Sequence, residues 1–210
     1  MESIKKRKRI ICATAIALIV LAIAYVWYWR SQPSGENLNY AYPESIESVR
    51  DLTPILSDLI EELYGATDLY VSDIYLSIDS DKKEGRIQFN EGKTAKPPTI
   101  FWAYIDLNNK IVKSIHAHSY HSKLYDKPIL NYMEWAVDET DALQIAKQVA
   151  CDISSTSIYS TSVHLIRPAE IAPYWRACVK DKYTHILVFV SIDPMTGKIL
   201  EVDTSELKDR

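Results

Sequence analysis

Three closely spaced histidines, His116, His118 and His121, form the one clustered set of potential metal ligands in the sequence. They have the spacing HxHxxH at the end of a predicted β-strand. Because alternate residues of a strand face the same side, His116 and His118 can bind one transition-metal ion between them. A solvated strand end is the competing interpretation, since strand ends are exposed and no cysteine lies nearby. The sequence predicts no bound cofactor.

A second candidate site is a group of aromatic residues around the segment 120–132, which is predicted to connect two structural units. The group consists of Tyr120, Tyr125, Tyr132 and Trp135. One hypothesis is a groove that binds a ligand or a partner protein. Packing in the core or between the units is the alternative explanation.

The motifs of common enzyme classes are missing from the sequence. It contains no GxSxG, HExxH, GxGxxG, GKS or GKT string, and nothing in it fixes a pair of carboxylates in a cleft. We therefore predict that the protein is not an enzyme, with no catalytic residue. The 24 basic and 28 acidic residues give a net charge of −4, with the acidic excess after residue 30. An acidic body excludes nucleic acid as the main partner, because phosphate binding needs a basic patch.

The first 30 residues have the pattern of a membrane element. Residues 10–29 carry no charge, and a helix of this length spans the hydrocarbon core of a bilayer. Residues 5–9 are all basic, whereas only Arg30 follows the run directly. The positive-inside rule then predicts a single-pass cell-membrane protein with a cytoplasmic N-terminus and an extracytoplasmic body. A cleaved signal peptide is the alternative, since 22–24 has a small-x-small pattern.

After residue 45 the same order of elements occurs twice. A helical stretch runs to Gly65, and a second helix begins at Asp138, where Asp141 completes a capping box. The predicted strands are 70–78, 86–90, 99–106 and 110–117 after the first helix, and 161–166, 174–180, 184–192 and 198–203 after the second. Since 103–115 also aligns with 190–202, we predict an internal duplication, with chance similarity of two hairpins as the alternative.

The second unit resembles the PepSY family. Its helix begins with DETDALQIAKQVA, its strand has the pattern Trp-x-x-x-Val, and its hairpin reads IDPMTGKIL. The residues that carry the resemblance are Trp175, Val179, Asp193, Gly197 and Leu200. The hairpin has a physical basis, because Asp193 begins the turn and Gly197 accepts a positive φ.

The layout of one anchor and two such units is similar to cell-wall elongation regulators of the TseB type, which have tandem cystatin-like domains. The resemblance implies a membrane-anchored extracytoplasmic module that binds and regulates an envelope protein. Such a partner is a peptidase or a component of wall assembly, for example a penicillin-binding protein. The alternative function is a metal- or small-ligand-binding sensor that uses His116, His118 and His121.

The predicted fold class is α+β, with an N-terminal transmembrane helix followed by two helix-plus-antiparallel-sheet repeats of the PepSY or cystatin-like kind. The predicted segments are a basic segment (1–9), a transmembrane helix (10–29), a stalk (30–44), a first repeat (45–119), a connector (120–132), a second repeat (133–204) and a tail (205–210).

Overall fold

The structure is a computed structural model that describes residues 34–92, 99–119, 132–167, 172–183 and 185–204. The first half contains strand β1 (Ser34–Ala41), helix α1 (Thr53–Tyr64) and strands β2 (Leu69–Asp79), β3 (Lys82–Glu91), β4 (Thr99–Asp106) and β5 (Ile111–Ser119). The second half contains a 3-10 helix (Tyr132–Glu134), helix α2 (Glu139–Ile153) and strands β6 (Ile158–Ile166), β7 (Tyr174–Asp181), β8 (Ile186–Ile192) and β9 (Ile199–Asp203).

All nine strands in the described part of the chain belong to one sheet, in the order β1-β5-β4-β3-β2-β6-β7-β8-β9. The antiparallel runs β2–β5 and β6–β9 meet where β2 pairs antiparallel with β6, with Tyr75 opposite His164. This pairing satisfies backbone groups that would otherwise lie unpaired along the first strand of each run. The predicted fold of an N-terminal transmembrane helix with two helix-plus-sheet repeats is therefore wrong, because the strands form a single sheet. Strand β1 occupies part of the segment predicted as a stalk.

Local sequence explains where the two helices begin and end. Helix α1 has Pro54 in its first turn, where no backbone N–H donor is needed. It stops at Gly65, which has a φ of 66° and donates its N–H to Glu61 O at 2.8 Å. The capping box predicted for α2 is confirmed, because Asp138 Oδ1 accepts from the N–H of Asp141 and Asp141 Oδ2 accepts from the N–H of Asp138.

The core lies between the sheet and the two helices. Alternate strand residues such as Ile74 and Leu76 on β2, and Val188 and Val190 on β8, are fully buried on this covered face. The helices contribute a matching apolar stripe, formed by Leu56, Leu59 and Ile60 of α1 and Ala142, Leu143, Ala146 and Ala150 of α2. Residues between the buried ones point to the opposite, open face of the sheet.

A buried polar cluster joins the two halves on the covered side. Glu139 is fully buried, and its carboxylate accepts hydrogen bonds from the backbone N–H of Val49 and from Tyr132 Oη, the latter at 2.5 Å. Beside it, Arg50 forms an ion pair with Asp138 at 3.2 Å. We call Arg50, Tyr132, Asp138 and Glu139 the Glu139 cluster. Since Val49 and Arg50 belong to the first half, these hydrogen bonds and the ion pair connect that half to the start of α2.

No helix in the described ranges is long and apolar enough to cross a membrane. The helices α1 and α2 have 12 and 15 residues, whereas a span needs about 20 predominantly apolar ones. The predicted span at 10–29 lies outside the described residues. The single-pass topology, with a cytoplasmic N-terminus and cell-membrane localisation, is corrected accordingly, because the described structure contains no spanning helix.

Candidate functional site

The open face of the sheet carries a pocket of about 580 Å³. Strands β2 to β6 form its floor, so both halves of the chain contribute to it. Its lining residues are Tyr70, Ser72, Asp73, Gln88, Asn90, Ile100, Trp102, His118, His164, Leu165, Ile166 and Arg167. The mixture of aromatic, apolar and charged side chains is typical of sites that bind and orient a ligand.

Asp73 is the centre of a charged group at this pocket. Its Oδ1 lies 2.8 Å from His164 Nε2, and its Oδ2 lies 3.6 Å from a guanidinium nitrogen of Arg86. The guanidinium lies over the Trp102 ring at 4.5 Å and over the Tyr75 ring at 5.6 Å. We call Asp73, Arg86, Trp102 and His164 the Asp73 cluster. It depends on register, because Tyr75 lies opposite Arg86 on one side and opposite His164 on the other.

Polar side chains of β2 and β3 form a hydrogen-bonded network beside the Asp73 cluster. The register of β2 against β3 shifts between Val71 and Asp73, so Ser72 lies in a bulge. Its hydroxyl donates to Asn90 Oδ1 at 2.8 Å, and Gln88 Nε2 donates to the same oxygen at 2.7 Å. Asn90 is only 6% exposed. The network therefore fixes its amide at the pocket wall.

Arg167 and His118 add two more nitrogen donors to the pocket. The Nη1 atom of Arg167 donates to Ser72 O at 3.0 Å, and burial lowers the pKa of this guanidinium. Burial also lowers the pKa of His118, and the neighbouring His116 acts in the same direction. His118 is therefore neutral near pH 7, with one N–H donor on its ring.

The predicted metal ligands divide between the described residues and the rest of the chain. Both His116 and His118 are on β5, and His118 lines the pocket, whereas His121 lies outside the described residues. In the part of the chain that the structure describes, no group of three or more His, Cys, Asp or Glu side chains is arranged to hold a metal ion.

His116 makes contacts with its own strand and with neighbouring strands. Its Nε2 lies 3.0 Å from Ser114 Oγ, and its ring packs edge-on against Tyr104 at 5.4 Å. A Cβ atom at Gly35 of β1 would lie only 2.2 Å from its Nδ1, so glycine permits this close approach. The imidazole is therefore held by packing on β5, next to the edge strand β1.

Two of the aromatic residues predicted to bind a partner are in the core. Tyr132 is 2% exposed and Trp135 is 8% exposed, and both rings pack edge-on against each other and against Trp175. These two rings therefore expose little surface to a partner. Their packing agrees with the alternative explanation, which is packing in the core or between the units. Tyr120 and Tyr125 lie outside the described residues.

The family-motif residues lie in β7, in the β8–β9 turn and in β9. Trp175 and Val179 are fully buried on the covered face, and Trp175 Nε1 donates to Val137 O at 3.0 Å. Asp193 accepts from the backbone N–H of Met195, and Gly197 has a φ of 71°. Leu200 on β9 is 54% exposed.

The pocket contains an Asp–His pair, which is two of the three groups of a nucleophilic triad. Among the described hydrogen bonds, none joins a serine, threonine or cysteine side chain to His164. Ser114, which does contact a histidine, pairs with His116 outside the pocket lining. The arrangement can bind and orient a charged group.

Sequence reasoning missed Asp73, Arg86, Trp102, His164 and Arg167 as site residues. The signal available was the alternation along the strands, which assigns Arg86 and Trp102 to the side opposite the apolar residues. That pattern does not tell which strands are neighbours. Asp73 and His164 are 91 positions apart, and only the pairing of β2 with β6 brings them together.

Comparison with known proteins finds similarity to a solved structure. No family model matches the chain, and no curated protein gives a significant match. Among solved structures, it is similar to the crystal structure of a "putative lipoprotein" from Clostridium difficile 630. The TM-score is 0.50 and the identity is 16%, over 75% of this chain and 99% of the other. At this identity the likeness concerns the fold alone.

Proposed function

We propose that the protein is a non-catalytic binding module that captures a segment of a partner protein in the open-face pocket. The Asp73 cluster is the observation that carries this proposal. The ion pair of Asp73 with Arg86 and its hydrogen bond with His164 fix polar groups beside the Trp102 ring, at the wall of a cavity of about 580 Å³. Fixed polar groups next to an aromatic surface give orientation and affinity to a bound segment.

The surface around the pocket supports a protein partner. Tyr104 is 40% exposed on the same face, and Arg176 lies over the Phe189 ring at 4.8 Å further along the sheet. Arginine and aromatic residues are the types enriched at protein–protein interfaces and at their energetic hot spots. A bound segment that extends beyond the pocket would meet these side chains.

The kind of partner is suggested by the resemblance of the second half to PepSY modules. It implies a peptidase or a component of cell-wall assembly, such as a penicillin-binding protein, whose activity the module regulates. The hydrogen bonds around His164 support a role in binding and not in catalysis, because the Asp73–His164 pair faces no bonded nucleophile in the described part of the chain.

Site-specific photocrosslinking in native cells tests the proposal. A photoreactive phenylalanine replaces Tyr104, which lies on the open face two residues after Trp102. In a control chain it replaces Tyr183, which is 65% exposed in the β7–β8 turn. We expect one recurrent protein adduct from position 104, absent from position 183 and reduced at least fivefold by Trp102→Ala.

Two results would contradict the proposal. One is an adduct pattern that is the same at positions 104 and 183, because the open face would then have no selectivity. The other is the absence of an adduct at position 104 together with turnover of a substrate by the purified protein.

A further inference from the structure

The outer edge of strand β9 is a second interaction surface, separate from the open-face pocket. The sheet ends at β9, and in the described part of the chain no strand pairs with its outer side. We infer that this edge binds an extended segment of another protein as an additional antiparallel strand, and that the segment alternates apolar and basic side chains. In strand addition, main-chain hydrogen bonds provide affinity and alternate side chains provide specificity. The inference does not depend on the proposed function, because it concerns a different surface.

The two edges of the sheet differ in the residues that they expose. On β1, Gly35, Asn37 and Asn39 are exposed, and Asn39 has a φ of 48°, which interrupts the extended backbone. Polar residues and irregular backbone of this kind oppose the addition of a further strand. The segment 195–202, which leads into β9, instead exposes four large apolar side chains by 39–56% of their surface. They are Met195, Ile199, Leu200 and Val202.

Backbone hydrogen bonds hold the β9 edge in place before any partner binds. In the β8–β9 turn, Asp193 N–H donates to Lys198 O at 2.9 Å, and Gly197 N–H donates to Asp193 O at 2.8 Å. The turn is also joined to the segment before α2, because Val137 N–H donates to Pro194 O at 3.0 Å. Strand β9 then pairs with β8 along its length. An edge held in this way loses little conformational entropy when a strand is added to it.

The register of β9 defines the apolar side of the added strand. Ile199 lies opposite Ile192 and Val202 lies opposite Val190, and both β8 residues are fully buried on the covered face. Since directly opposite residues share a face, Ile199 and Val202 belong to the covered face as well. Helix α2 packs mainly on β6, β7 and β8, so these two side chains stay partly exposed. Apolar side chains of an added strand would cover them and extend the core outwards.

Charge defines the other side of the added strand. Glu201 lies opposite Ser191 on the open face, is exposed, and has no ion pair among the described residues. A basic residue directly across from it would form a cross-strand pair of opposite charges, and the acidic excess after residue 30 favours the same sign. A second copy of this chain fits less well. An antiparallel pair of β9 strands centred on Glu201 or on Val202 would place Glu201 opposite another Glu201 or opposite Asp203.

Titration of three matched peptides into the full-length labelled protein tests the inference. The basic peptide alternates valine and lysine and is blocked at both ends. The acidic peptide has glutamate in place of lysine, and the methylated peptide has the side chains of the basic one but a methyl group on every backbone nitrogen. The measurement is the NMR shift of the backbone N–H groups of β9 against peptide concentration. We expect the basic peptide to bind at least tenfold more tightly than the acidic peptide, and the methylated peptide to cause no shift.

Variants assign the binding to the β9 edge. Glu201→Gln should reduce the tenfold preference for the basic peptide to about twofold, whereas Glu62→Gln, which removes an exposed carboxylate of α1, should leave it unchanged. Val202→Thr keeps a β-branched residue in the strand but removes apolar surface, and it should weaken binding of the basic peptide about threefold. The backbone spectrum of each variant confirms that it is folded.

Four results would overturn the inference. The first is the absence of a β9 shift with every peptide, and the second is equal binding of the methylated peptide, which would exclude main-chain pairing. The third is a shift of the Trp102 indole N–H in place of β9, which would locate the peptide on the open face. The fourth is self-association of the protein without peptide that disappears in Val202→Thr, because the edge would then belong to a second copy.

Discussion

The two charged clusters of the molecule contain similar residues but differ in what surrounds them. The Glu139 cluster lies under the helices, where the carboxylate of Glu139 is fully buried and receives donors from Val49 and Tyr132. The Asp73 cluster lies on the open face, where His164 retains 43% of its side-chain exposure and the pocket opens beside it.

This difference in burial helps to distinguish structural from functional polar groups in this fold. A buried charge costs several kcal/mol unless hydrogen bonds and ion pairs compensate it. In the Glu139 cluster these partners come from the protein itself. A partly exposed cluster can leave donors such as Asn90 and His118 directed to a pocket. We therefore expect changes in the Glu139 cluster to affect stability, and changes in the Asp73 cluster to affect binding.

The largest contrast is expected between two tryptophans. Trp175→Ala removes a fully buried ring of the covered face, so the free energy of unfolding should fall by about 3–5 kcal/mol. Trp102→Ala removes a half-buried ring on the open face and should cost about 1 kcal/mol while reducing the crosslink at position 104 at least fivefold. Urea denaturation measures both changes, and equal losses would contradict the assignment.

A smaller effect is expected from single hydroxyl groups. Tyr132→Phe removes the donor to Glu139 and leaves a buried carboxylate short of one hydrogen bond, which should cost about 1–3 kcal/mol. Tyr104→Phe is the matched control on the open face, since its hydroxyl has no hydrogen bond among the described residues. Its unfolding free energy should stay within about 0.5 kcal/mol of the original.

The pH dependence of stability gives a further test of the Glu139 cluster. Burial raises the pKa of Glu139 above its ordinary value of 4.5, against the opposing effect of the hydrogen bonds from Tyr132 and Val49. A raised pKa in the folded state means that its contribution is fully present below about pH 4.5 and is lost as the pH rises through the raised pKa.

The stability of the original protein relative to Glu139→Gln should therefore fall as the pH rises from 4.5 to 7. Urea unfolding at several pH values measures this difference. Glu134→Gln, which removes an exposed carboxylate near the cluster, is the control for the general effect of charge. A stability of the original protein relative to Glu139→Gln that rises with pH would contradict the raised pKa of Glu139.

The smallest effect on stability is expected from the polar contacts of Asp73 on the open face. Asp73→Asn should lower the unfolding free energy by less than about 1 kcal/mol, because partly exposed pairs contribute little. It should nevertheless reduce the crosslink at position 104, since Arg86 loses its ion-pair partner. Thermal unfolding and the crosslink yield together measure the change, and a loss of stability as large as that of Trp175→Ala would remove the distinction between the clusters.

The sequence by itself determined the local structure of the body. Pro54, Gly65 and the Asp138–Asp141 capping box mark helix boundaries through groups only a few residues apart, so neighbouring residues are sufficient to predict them. The alternation of apolar residues likewise indicated most strands, because successive side chains face opposite sides of any sheet. Strand β1 carries no such pattern and was not predicted.

Only the tertiary structure decided how the strands are joined and where a site forms. The edges of β2 and β6 offer the same backbone donors and acceptors as any other edge, so the sequence does not specify that they pair. That pairing turns two predicted sheets into one and brings His164 within 2.8 Å of Asp73. The predicted aromatic residues Tyr132 and Trp135 were buried for the same reason: their environment depends on which surfaces the fold brings together.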